Sequence, residues 1–132
     1  MEETPQILTQ TGKKKPRVLA IDDNADFLDL LRFRFLRENV EYITCHDGES
    51  GLIKAREVIP DLILVDIKMP RMDGFQFVQE LKKDPSTSKI PVIVLTSFEP
   101  MRDIFGLEGI QDYIIKSNDM TSLWNTVSKY LS

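Results

Sequence analysis

Leu62-Ile63-Leu64-Val65-Asp66-Ile67-Lys68-Met69-Pro70-Arg71-Met72-Asp73-Gly74 is an apolar run of strand length that stops on a carboxylate and enters a turn. Four apolar residues without polar alternation suit a strand covered on both faces, as in the parallel sheets of α/β proteins. Asp66 then stands at the strand's carboxyl end, the edge where open α/β sheets gather their ligands. Pro70 fixes φ and removes a donor, and Asp73-Gly74 marks a tight turn, so residues 67–74 read as an ordered loop leading into a helix. Taken by itself, Asp66 serves equally well as a cap or turn residue. Further acid at the same edge would separate the two readings.

The second strand-like run, Arg17-Val18-Leu19-Ala20-Ile21, also ends on acid, in Asp22-Asp23 followed by Asn24 and Asp26. Asn24 or Asp23 can cap a helix whose Phe27, Leu30, Leu31 and Phe35 recur at helical spacing. Leu28, Phe33 and Leu36 fall outside that stripe among Arg32, Arg34 and Arg37. They form either a docking face or a surface covered by arginine stems.

Residues 40–45 read as a strand, and His46-Asp47-Gly48 turns it into a helix over about 49–58. His46 is the single histidine and has no partner in sequence that would make a metal site. Phe75, Val78 and Leu81 continue a helix after Gly74. Ile90-Pro91-Val92-Ile93-Val94-Leu95 is a third continuous apolar strand, running into the hydroxyls of Thr96-Ser97. Glu99-Pro100 suits the start of a short helix interrupted by Gly106 and Gly109. Tyr113-Ile114-Ile115 is the last strand and ends on Lys116, and Asp119 or Asn118 can cap a final helix with Met120, Leu123 and Val127 inward.

At 132 residues the chain fits one domain with a real core. A net charge of −4 argues against a nucleic-acid surface. The lone Cys45 lies in a strand-like run and reads as a small core residue suited to a reducing cytoplasm. No signal peptide or membrane-spanning run is present, so a cytoplasmic protein without membrane insertion is expected. Residues 1–15, with Lys13-Lys14-Lys15, read as a flexible arm ahead of a domain over 16–132.

Five strands therefore alternate with five helices, and four strands end on Asp22-Asp23, Asp66, Thr96 and Lys116. Parallel strands bring these ends to one edge. Three carboxylates together need compensation, and an oxygen-rich acidic cluster suits Mg²⁺, which takes one or two carboxylates plus phosphate oxygens. A carboxylate there can attack a phosphoryl group while the cation, ammonium and hydroxyl stabilise its oxygens.

Ile21-Asp22-Asp23, the stretch from Val65 to Gly74, Leu95-Thr96-Ser97 and Tyr113-Ile114-Ile115-Lys116 together resemble the receiver domain of two-component response regulators, the CheY-like superfamily, over residues of about 17–132. The resemblance implies a flavodoxin-like α/β fold, five parallel strands ordered 2-1-3-4-5 with helices on both faces. It implies that Asp66 is the phosphoacceptor and that Mg²⁺ is held by Asp22, Asp23, Asp66 and the main-chain carbonyl of Lys68. Thr96 would hydrogen-bond the phosphoryl oxygen, Lys116 would pair with Asp66 at rest and the phosphoryl group afterwards, and Tyr113 would turn inward as Thr96 moves. Lys68 and Phe98 occupy the positions that tune the phosphorylated lifetime. The chain departs from the family at Ser117, where a proline is usual, and in a slightly short stretch between Thr96 and Lys116.

Such a protein is a stoichiometric phosphoacceptor in a phosphorelay, assisting its own phosphotransfer and autodephosphorylation, and is not a conventional enzyme. Its partners would be a histidine kinase or histidine phosphotransfer protein and a downstream protein, and it would be a monomer or a phosphorylation-dependent dimer. No output domain is visible, so the chain reads as a stand-alone receiver. A receiver that binds partners without phosphorylation is the alternative. A phosphatase of the haloacid dehalogenase type needs a second Asp where Lys68 stands, and a nucleotide or flavin module needs a glycine-rich loop after the first strand.

Overall fold

The computed structural model describes residues 14–97 and 109–131. Five strands, β1 (Arg17–Ile21), β2 (Glu41–Cys45), β3 (Leu62–Asp66), β4 (Val92–Thr96) and β5 (Asp112–Ile115), form one sheet in the order β2-β1-β3-β4-β5. All four pairings are parallel, with Ile21 beside Cys45 and Val65, Asp66 beside Leu95, and Thr96 beside Ile115. Among the described residues four helices accompany them: α1 (Ala25–Arg37), α2 (Gly48–Val58), α3 (Gly74–Lys83) and α4 (Met120–Ser128). The helix expected after Glu99-Pro100 lies outside the described residues, as do Phe98 and residues 1–13 of the expected arm.

The unbroken apolar strands have a direct cause. Successive side chains point to opposite faces, and here both faces are covered. Leu19, Ile21, Ile63, Val65, Val92 and Val94 face α2 and α3, whereas Val18, Ala20, Leu62, Leu64, Ile93 and Leu95 face α1 and α4. Cys45 is buried in the first of these cores, as its strand position requires.

Helix starts follow the capping residues. Asn24 Oδ1 accepts from Phe27 N at 3.2 Å, Asp47 Oδ1 from Ser50 N at 2.8 Å, and Asp119 Oδ1 from Ser122 N at 3.0 Å. At α3 the capping is reciprocal: Asp73 Oδ1 accepts from Gln76 N, and Asp73 N donates to Gln76 Oε1.

One part of the reading of α1 is corrected. Leu28 belongs to the core with Phe27, Leu31 and Phe35, while Leu30 is only half-buried. The helix is rotated slightly about its axis relative to the expected stripe, so Leu28 reaches the α1–α4 core. Phe33 and Leu36 do remain outside, 72% and 60% exposed, so the arginine stems do not cover them.

The edge of the sheet opposite the carboxyl ends is tied by Arg17. Its Nε lies 2.7 Å from Glu41 Oε2, its Nη1 donates to Val58 O at 3.1 Å, and its backbone N donates to Asp61 Oδ2 at 2.8 Å. β1 is thereby fixed to both neighbours at the end remote from the acids.

Candidate functional site

At the carboxyl edge, β1 and β3 are adjacent, so Asp22 and Asp23 meet Asp66. One carboxylate oxygen from each of the three lies within 4.8 Å of the others. Asp22 and Asp66 are buried and Asp23 is exposed, so the cluster opens to solvent on the Asp23 side. β5 brings Lys116 over the top, with its backbone N donating to Thr96 O at 2.7 Å. The Lys116 Nζ lies 2.6 Å from Asp22 Oδ2 and 3.3 Å from Asp66 Oδ1. Lys116 was expected to pair with Asp66; it does, and it also reaches Asp22, to which it sits closer.

The electrostatics show an excess of negative charge. Burial and then the neighbouring Asp22 push the Asp66 carboxyl up to about 6, against the opposing pull of Lys116. Asp22 Oδ2 is buried and makes no hydrogen bond, and the Lys116 ammonium pairs with it by charge at 2.6 Å. Asp22 Oδ1, in contrast, accepts from Asn24 N at 3.0 Å. The Lys116 ammonium facing three close carboxylates, with a buried oxygen lacking a hydrogen bond, fits a hard divalent cation bound through oxygen. These residues could hold such an ion.

A depression of about 190 Å³ gathers Asp23, Asn24, Asp66, Ile67, Lys68, Thr96, Ser97 and Lys116. Thr96 is buried at the end of β4, and Lys68 is exposed on the loop beyond Asp66. Tyr113 is not in that lining. It stands on β5 opposite Val94 and packs half-buried against the core on the α2 and α3 side. A larger open groove of about 890 Å³ between α3 and the start of β5 includes Phe75, Val78, Lys82 and Gly109. No carboxylate lines it among the described residues, and the Lys82 ammonium there is engaged by the carbonyls of Ser88 and Ile90.

Sequence reasoning missed Phe27. Its ring centroid lies 5.1 Å from Lys116 Nζ, adding a cation–π contact to the two ion pairs. The available signal was its place in the first turn of the helix that begins beside Asp23.

The loop from Asp66 to α3 is shaped by close packing. Gly74 N donates to Ile67 O at 2.8 Å, and a Cβ on Gly74 would stand 2.6 Å from the Asp66 carbonyl oxygen. Arg71 adopts φ 68°, a left-handed conformation within this tight loop.

The fold and site define a doubly wound α/β protein with a cluster of three carboxylates at the carboxyl edge of its sheet. The sequence matches the family model of the response regulator receiver domain over residues 18–128, and the chain belongs to that family. It is 39% identical over 113 residues to response regulator PleD of Caulobacter vibrioides, an alignment covering 84% of this chain and 25% of PleD. It is 33% identical over 118 residues to protein PilH of Pseudomonas aeruginosa, covering 88% of this chain and 98% of PilH. The chain thus spans a quarter of the first relative and nearly all of the second. Among solved structures it is similar to response regulator TrrA of Thermotoga maritima in complex with Mg²⁺ and BeF, at 28% identity and TM-score 0.79, covering 88% of this chain and 99% of that one. TrrA has also been solved in complex with histidine kinase ThkA, where 29% identity and TM-score 0.79 extend over 89% of this chain and 99% of that one. Among the described residues, no helix is long and apolar enough to cross a membrane.

Proposed function

We propose that this receiver is a phosphorylation-driven signalling switch in which Asp66 accepts a phosphoryl group. The observation that carries the reading is the convergence of Asp22, Asp23 and Asp66 within 4.8 Å under Lys116, beside a depression that Thr96 also lines.

Asp22, Asp23, Asp66 and the main-chain carbonyl of Lys68 would hold Mg²⁺, as the Mg²⁺ complex of TrrA supports. When bound, the cation offsets charge on the acids and on the phosphoryl oxygens. An Asp66 carboxylate oxygen attacks phosphorus, the bond from phosphorus to the donor breaks, and the donor leaves with that electron pair. Asp23, on the exposed side, leaves a path for the incoming group. Thr96 then donates its hydroxyl to the phosphoryl oxygen, and Lys116, already within reach of both buried acids, moves its charge toward the new dianion. Tyr113, half-buried on β5, reports that rearrangement at the surface, where a partner preferring one state reads it.

A histidine kinase or histidine phosphotransfer protein is the expected donor, supported by the TrrA complex with ThkA. Lys68 and Phe98 are the residues proposed to shield the acyl phosphate from in-line water. Slower phosphoryl loss from wild type than from a Lys68→Asn, Phe98→Glu double variant is the outcome expected of that shielding. Intact mass after incubation with acetyl phosphate and Mg²⁺ tests the main proposal. One added phosphoryl group on wild type and none on Asp66→Ala is expected. An adduct that persists in Asp66→Ala would overturn the assignment.

A further inference from the structure

The solvent-facing side of α1 is not used by the site or by either core. Phe33 and Leu36 are the two most exposed large apolar side chains among the described residues, at 72% and 60%. They sit next to each other on the helix, and half-buried Leu30 lies one turn earlier. At 100° per residue, Asp29, Leu30, Phe33, Leu36 and Arg37 fall on one face centred on Phe33.

The charges on this face are ordered. Asp29 stands four residues before Phe33 and Arg37 four after it, while Leu30 and Leu36 stand three before and three after. The face is therefore complementary to itself when reversed. Two α1 helices crossed antiparallel about Phe33, with their Asp29–Phe33–Arg37 ridges alongside, bring the two phenyl rings together and each Asp29 toward the other's Arg37, while Leu30 meets the other copy's Leu30 on one flank and Leu36 its counterpart on the other. Asp29, Phe33 and Arg37 form an i, i+4, i+8 ridge, and antiparallel helices crossing at about −50° run such ridges alongside one another. Asp29 is available for this contact: its approach to Arg32 is only 3.9 Å and its side chain is 68% exposed.

We propose that this face of α1 is a homotypic docking surface whose occupant is α1 of a second copy of this chain, related by a two-fold axis passing beside Phe33. The pattern argues for a second copy, because a pseudo-palindrome of charge around an exposed aromatic matches its own image. One helix pair buries less than the roughly 1,200 Å² of a standard stable interface, so the dimer is weak and filled by concentration. The face points away from the acid cluster, since Phe27 and Leu28, which lie toward the site and core, occupy the opposite side of the helix. Dimerisation therefore leaves the phosphoryl site open and does not depend on the function proposed above.

Sedimentation equilibrium of the full chain, carried to millimolar concentration, tests this. Wild type should rise from 15.2 kDa toward twice that mass. Phe33→Ser should remain monomeric. Asp29→Arg and Arg37→Asp, each placing like charges opposite one another, should each weaken self-association at least several-fold. An equimolar mixture of these two variants, or the Asp29→Arg, Arg37→Asp double variant, should restore it. All the substituted side chains are solvent-facing, so circular dichroism should be unchanged. A mass fixed at 15.2 kDa for wild type, or a dimer indifferent to Phe33→Ser and to the charge reversals, overturns the proposal.

Discussion

At the scale of single residues, the site depends on keeping an unfavourable concentration of acid. Asp66 is held at about 6 because burial and Asp22 oppose its charge more strongly than Lys116 supports it. A carboxyl that binds its proton more tightly folded than unfolded contributes stability below its ordinary value of 3.8, and that contribution is lost as pH rises through about 6. Asp66→Asn removes the penalty carried by the ionised form. The variant should therefore be more stable than wild type at pH 7 to 8, by on the order of 2 kcal/mol, with the difference disappearing toward pH 4. Urea denaturation of both proteins across that range checks it, and a constant offset at every pH would count against the acid crowding. The acids, Thr96 and Lys116 were legible in sequence because each terminates a run of apolar strand residues, and parallel pairing does the rest. Phe27 was not legible, since an aromatic in a first turn looks like any core residue until β5 places Lys116 over it. The preference of Lys116 for Asp22 over Asp66 was equally hidden, because angstrom differences between two adjacent acids leave no mark in spacing.

At the scale of elements, two backbone positions make opposite predictions. Gly74 opens α3 with no room for a side chain: a Cβ would stand 2.6 Å from the Asp66 carbonyl oxygen and 3.0 Å from the Ile67 Cα. Gly74→Ala gains helix propensity of about 1 kcal/mol but must displace backbone beside the site. A net loss of roughly 1–2 kcal/mol in thermal unfolding is expected, together with slower phosphorylation from acetyl phosphate. Unchanged stability would mean that the loop yields freely. Ile59 is the reverse case. It ends α2 in a left-handed conformation at φ 45°, which disfavours a β-branched residue, and it is 47% exposed. Ile59→Asn should stabilise the protein by on the order of 0.5–1 kcal/mol by relieving that conformation, read as a higher melting temperature. The strands were clear from sequence because apolar runs mark them directly, while two caps were narrowed only to a pair of neighbours each, Asn24 or Asp23 and Asp119 or Asn118, and the geometry selects Asn24 and Asp119. The orientation of α1 was not, because a surface helix with apolar residues on two sides can present either Leu28 or Leu30 inward. Contact with α4 and the sheet decides for Leu28.

At the scale of the whole molecule, two cores sandwich one sheet, and both leave its carboxyl edge to polar groups. The covered sheet explains why a parallel α/β sheet was readable from uninterrupted apolar strands separated by helical stretches, whereas the strand order came from the resemblance to receiver domains. The ends of the molecule behave differently. Arg17 clamps three strands at the amino edge, whereas the carboxyl edge carries three acids that Lys116 offsets only in part and a cation would relieve. Mg²⁺ should therefore raise the melting temperature, contributing about 1.4 kcal/mol at ten times its dissociation constant, and Asp23→Asn should weaken that response. An equal Mg²⁺ response in Asp23→Asn would place the ion elsewhere. The central claim, that Asp66 forms the acyl phosphate, is tested most directly by borohydride reduction of the protein after exposure to acetyl phosphate and Mg²⁺, followed by peptide mass mapping. Conversion of residue 66 to homoserine, dependent on both reagents, is the predicted result. Recovery of unmodified Asp66 with the reduced residue at Asp22, Asp23 or any other carboxylate would contradict it.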